Sequence, residues 1–167
     1  MDLEGFDDGT SVVGWGKFNQ YSDRLTGEDE DAFIHTHMEY GYRLGGIGRA
    51  ANVTSATMKI TVLRDSWVVT SQMTDYLLKH EQGHYDIQAL VAREFLEEIK
   101  KVAAPSDHDA SKLIKDLEKK YGQLTKTTNI RYDAATNHSL NKQVQQTWDQ
   151  RIDAAKKNKK GTINDLP

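Results

Sequence analysis

Cysteine is absent from the 167 residues, which excludes disulfide staples, cysteine-rich zinc sites and thiol catalysis while leaving the compartment open. No apolar run approaches the roughly 20 residues that a membrane-spanning helix requires, so no transmembrane segment is expected. The formal charge is only -3, and no basic groove or ladder of aromatic and basic residues stands out, so no nucleic-acid partner is expected either. The opening MDLEGFDDGT has neither the basic start nor the apolar stretch of a signal peptide. The glycines of RLGGIGRAANVTSA, Arg43 to Ala56, lack the lysine and the strand-and-helix frame of a phosphate loop, and the stretch reads as a turn.

What is present suits one soluble domain: 37% hydrophobic and 28% charged residues in a chain long enough to bury a substantial core. Charge is unevenly spread. Residues 1–31 carry nine acidic and two basic side chains, whereas Arg151 to Lys160 carries five basic and one acidic. A solvated acidic arm and a basic helix end account for both. The expected organisation is an acidic, loop-rich lead-in over 1–31, a single domain over 32–158 and a tail over 159–167.

Residues 32–44 and 57–63 read as strands; in TMKITVL, Met58, Ile60 and Val62 fall on one face and Thr57, Lys59, Thr61 and Leu63 on the other. After the short SWVV, apolar residues from Leu77 to Ile99 recur at helical spacing, predicting a long helix over about 71–102 that Pro105 helps to stop. A second helix is expected from Asp107 or Asp109 to about Tyr121, with Gly122 just past its end, and a third over about 140–158. The fold class is therefore α+β: an antiparallel or mixed N-terminal sheet, a long helix, then two more.

The long helix carries His80-Glu81-Gln82-Gly83-His84. Histidines four apart lie one turn apart on nearly one face and can bind one ion together, while Glu81 is displaced just enough to serve a water beside it. That pattern points to Zn2+, with His80 and His84 as ligands and Glu81 as base. A solvated helix face is the bland alternative, but Gly83 argues for a close approach by another segment, since an interior glycine costs about 1 kcal/mol relative to alanine.

A catalytic zinc normally takes three protein ligands. Glu94 is excluded, because ten helical residues place its backbone about 15 Å beyond His84. The third ligand must come from another segment: His138 is taken first, with Asp133, His108, His35 and His37 as alternatives. Asp86 points off the ligand face and is expected to cap or pair. If His138 ligates, Asp133 could instead orient an imidazole. Tyr132 is a candidate oxyanion donor, its competing role being aromatic packing against the long helix; Trp67 and Trp148 read as packing groups. A completed site would hydrolyse a peptide bond by Glu81-assisted attack of a zinc-bound water. An extended peptide or protein substrate could pair with a sheet edge near residues 57–63. The competing functions are a noncatalytic peptide- or protein-binding module on a degenerate site, and a zinc amidase acting on cell-wall peptide.

KHEQGHYDIQALVAREF, with SWVV upstream and YDAATNHSLNKQVQQTWD downstream, resembles a family of bacterial secreted, inferred zinc-dependent proteases long described as a domain of unknown function. The resemblance spans roughly Phe33 to Asp153. It implies a zincin-like fold, one zinc ion and secretion or periplasmic export, with a cytoplasmic place left open. It also implies ligand roles for His80, His84 and His138, a catalytic Glu81, and unsettled roles for Tyr132 and Asp133. Ser139 stands where that pattern leads to a glycine. The continuation of metzincins after the second histidine is missing, since the chain reads YDIQALV there.

Overall fold

The computed structural model describes residues 3–4, 12–46, 48, 50–158 and 160–167, and in it the strands precede the helices. The rest of the first eleven residues, with Ile47, Arg49 and Lys159, lies outside the described residues, so part of the acidic lead-in and of the expected turn is not described. The framework is a hairpin. Strands β4 (Thr36–Gly45) and β5 (Ala51–Val62) pair antiparallel, from Thr36 opposite Val62 to Gly45 opposite Asn52, with a register shift between Arg43 and Leu44. Two short strands pair with the far side of β5, namely β1 (Leu3–Glu4), parallel to it, and β7 (Ala103–Ala104), antiparallel. Among the described residues β4 is an outer strand, while β5 pairs with β4 along its length and with β1 at Met58 and Lys59, which covers part of the substrate-pairing edge expected at 57–63.

Along β5, Ala56, Met58 and Ile60 are buried while Thr57 and Lys59 are exposed, the alternation predicted from TMKITVL. The strand begins at Ala51 rather than Thr57, shrinking the expected turn. Residues 51–56 are mostly small or polar and carry little hydrophobic alternation, so pairing with β4 decides their conformation. A second, three-stranded sheet sets β6 (Trp67–Val69) between β2 (Asn19–Tyr21), parallel to it, and β3 (Ala32–Phe33), antiparallel.

The long helix α1 (Asp75–Lys100) starts where Thr74 Oγ1 accepts the Leu77 N–H at 3.1 Å, a few residues later than the periodicity alone predicts. Its Ile87, Leu90, Val91, Phe95 and Ile99 are fully buried and pack in one core with β5. Val13 and Phe18 from the lead-in and Ile163 and Leu166 from the tail join that core. Arg93 holds the tail by donating to the carbonyls of Ala155, Asn158 and Gly161, while Glu94 accepts the Ile163 N–H. The folded unit therefore takes in chain on both sides of 32–158.

Helix α2 (Asp107–Thr136) is the largest departure from expectation, continuing fifteen residues beyond Tyr121. Gly122 does not end it. A Cβ there would meet nothing within 4 Å, so this glycine serves no close approach, and packing against α1 outweighs its poor propensity. Gly122→Ala is expected to raise stability by about 0.5–1 kcal/mol in urea unfolding; a fall would mean that the position is strained. Helix α3 (Lys142–Lys157) follows, capped by Asn141 Oδ1, which accepts the Val144 N–H at 3.3 Å.

Candidate metal centre

His80 and His84 project from one face of α1 and bring their Nε2 atoms to 3.2 Å. From α2, Asp133 places Oδ1 3.2 Å from His80 Nε2 and 2.9 Å from His84 Nε2. Two ligand atoms bound about 2.0–2.1 Å from zinc at a tetrahedral angle lie roughly 3.3 Å apart. The three observed spacings match a single small cation.

The outer nitrogens of both imidazoles are already engaged. Gln145 Nε2 donates to Asp149 Oδ1 at 2.9 Å, which fixes the amide so that its Oε1 accepts from His80 Nδ1 at 2.8 Å. His84 Nδ1 lies 2.8 Å from Asn129 Oδ1 and donates to it. With both Nδ1 atoms protonated, the neutral imidazoles turn their Nε2 lone pairs toward one another and toward the Asp133 carboxylate. Asp133 Oδ1 and Glu81 Oε2 are buried and accept no hydrogen bond from any described residue. Such unpaired acceptors cost free energy unless a cation faces them. Two imidazoles and a carboxylate are also a donor set that catalytic zinc takes.

The local field favours a positive charge in the cluster, whether a proton or a cation. Burial pushes the Glu81 carboxyl up, with only partial relief from His84 and His80. Burial acts the same way on Asp133, but His80 and His84 outweigh it and hold that carboxyl well below its usual range. For His84, burial opposes the charged form, yet Asp133 and Glu81 prevail and raise it to about 9. The proton so favoured would sit where a cation would, so the two compete for one nitrogen.

Tyr132 lies behind this cluster rather than in front of it. Its ring stacks on His80 at 4.7 Å and meets His84 edge-on at 4.9 Å. Its hydroxyl donates to the His80 carbonyl at 3.4 Å and accepts from Gln145. Tyr132 is fully buried, a position that the competing role of aromatic packing describes. It also explains Gly83, since a Cβ there would overlap the Tyr132 hydroxyl and lie 2.7 Å from Cζ. Gly83→Ala is therefore expected to cost about 1–3 kcal/mol by overpacking and to loosen both imidazoles; unchanged unfolding and metal affinity would contradict that close approach.

Of the third-ligand candidates, Asp133 stands with the histidine pair. His138 sits one step away, its Nδ1 2.9 Å from Glu30 Oε1, in a second group made of Glu30, Asp133 and His138. His35 pairs instead with Asp65 at 2.7 Å, and His37 and His108 are exposed; none of the three is in either group. Asp86 pairs as expected, with Lys156 Nζ at 2.9 Å and Gln82 Nε2 at 2.9 Å. Backbone through Asn137, His138 and Ser139 is left-handed, with φ of 48°, 48° and 71°. Ser139 thus adopts the conformation that suits the glycine of the resembling pattern.

Glu81, His84 and Asp133 open onto a cleft of about 400 Å³ that Glu30, the 33–36 segment, Gln88, and Thr125, Lys126 and Asn129 of α2 also line. Sequence reasoning missed Glu30, Asn129 and Gln145. Asn129 and Asp133 are four residues apart, so a longer α2 would have placed both on one face. Gln145 had no comparable signal, and Glu30 arrives from a lead-in without period.

A family model described as "Bacterial protein of unknown function (DUF922)" matches residues 17–139. No curated protein and no solved structure matches the chain.

Proposed function

Since the chain belongs to that bacterial family, whose matched span takes in both His80-Glu81-x-x-His84 and Asp133, we propose that it is a zinc-dependent peptidase working at this centre. The observation that carries the reading is the convergence of His80 Nε2, His84 Nε2 and Asp133 Oδ1 within 3.2 Å, next in the motif to a buried Glu81 whose Oε2 has no hydrogen-bond partner among the described residues. His80, His84 and Asp133 would hold the ion. Zinc so held supplies a Lewis acid and lowers the pKa of a water to near neutrality.

The rest is done by the chain. Glu81 lines the cleft with its carboxyl raised by burial, which suits a group that takes a proton from the attacking water and returns it to the departing amine. Gln145, itself held by Asp149, and Asn129 fix the two imidazoles in tautomer and plane. Tyr132 stacks behind His80 and keeps that side dry. An extended peptide fits the cleft along the 33–36 segment next to the β4 edge.

The test is hydrolysis of a mixed pool of unstructured peptides by zinc-loaded protein, read by mass spectrometry. New termini at defined positions, abolished by a chelator and restored by zinc, are expected. Metal-loaded protein that binds peptides but leaves them intact would favour the noncatalytic module, and cleavage confined to cell-wall fragments would favour the amidase.

A further inference from the structure

Resting on the reading of His80, His84 and Asp133 as one ion's ligands, the geometry points to a second cation site beside it, built from Glu30, Asp133 and His138, with Asp133 bridging two ions. One ligand atom from each of the three residues lies within 4.8 Å of the others, a span that one ion can bridge at oxygen and nitrogen bond lengths of about 2.0–2.5 Å. Asp133 belongs to both groups, and a carboxylate has two oxygens with which to join ions about 3.5–4 Å apart, the usual separation in two-metal hydrolytic centres.

An ordinary ion pair between Glu30 and a protonated His138 accounts for less. His138 Nδ1 comes to 2.9 Å from Glu30 Oε1, yet this buried nitrogen makes no aligned hydrogen bond with any described residue. Asp133 Oδ1 likewise stands 2.9 and 3.2 Å from the two Nε2 atoms of the first group. In the second group the short contact is thus not an aligned hydrogen bond, as between two ligands of a common cation. The elements that supply the second group differ from those of the first. Glu30 comes from the lead-in just before β3, and His138 from the corner between α2 and α3, where three successive residues take left-handed backbone. The corner sets His138 Nδ1 against Glu30, which lines the cleft together with Asp133. The ligand set of two carboxylates and one imidazole suits Zn2+, Mn2+ or Co2+.

The experiment is equilibrium dialysis of the intact chain against Co2+ and Zn2+, with metal content by elemental analysis and electron paramagnetic resonance of the cobalt forms. The parent protein is expected to take up two ions in two steps, and the two-cobalt form to show a signal diminished by spin coupling, which a stray ion at exposed His37 or His108 would not produce. Glu30→Gln and His138→Ala, both checked for folding by circular dichroism, are expected to keep the tighter ion and lose the weaker. Saturation at one ion, or a second ion without coupling, overturns the second site while leaving the first intact. One ion that His138→Ala releases overturns it as well and assigns His138 to the first ion's shell. A parent that binds neither metal overturns this inference and the proposed function together.

Discussion

Glu81→Gln leaves metal content unchanged and lowers kcat/KM for peptide hydrolysis by about 10²- to 10⁴-fold, the usual worth of a positioned acid-base group. The amide keeps the shape of the side chain but cannot accept a proton. The ion should stay, because the three atoms that converge belong to His80, His84 and Asp133 and not to Glu81. Folding should hold or improve, since Glu81 is a buried carboxylate whose Oε2 has no partner among the described residues and whose burial favours its neutral form. A stability gain with a loss of activity is the signature of a residue retained for chemistry. Undiminished hydrolysis in Glu81→Gln would remove Glu81 from the reaction.

Asp133→Ala is expected to weaken zinc binding by more than the roughly 10- to 100-fold that loss of an outer partner costs, measured by competition with a chromophoric chelator. The helix should not suffer, because alanine is the best helix former and Asp133 lies within α2 with its side chain about a fifth exposed. The same change relieves His84 of the carboxylate that most favours its second proton, so part of the lost affinity is offset by weaker proton competition at neutral pH. The loss should nonetheless dominate, because Asp133 supplies the site's one negative ligand atom. Parental affinity in Asp133→Ala, beside a collapse in His138→Ala, would give the third place to His138.

How much of this is legible in the sequence depends on whether the signal is periodic. The apolar recurrence from Leu77 to Ile99 and the pitch of His80 and His84 place the centre of the fold and two-thirds of the candidate ligand set, because one amphipathic helix carries both. Gly83 is legible as a close approach, though only the structure identifies Tyr132 as the group that approaches. The rest hangs on Gly122. Read as a stop signal, it ends α2 at Tyr121 and leaves Asp133 on a segment of no fixed direction, one of five candidates. Carried through to Thr136, the same helix sets Asn129 and Asp133 on one face toward α1, because tertiary packing overrides a single poor residue. Residues 51–56 fail for the complementary reason: their strand is imposed by β4, and small polar side chains do not announce it. Glu30 and Gln145 come from segments that only the tertiary fold brings to α1.

The most direct measurement is an anomalous difference map, collected at the zinc edge on crystals of the protein loaded with one equivalent of zinc. The account predicts its strongest peak within bonding distance of His80 Nε2, His84 Nε2 and the Asp133 carboxylate, with Glu81 adjacent but outside the bonded set. A strongest peak elsewhere, or one bonded to the two histidines with Asp133 turned away, would contradict it.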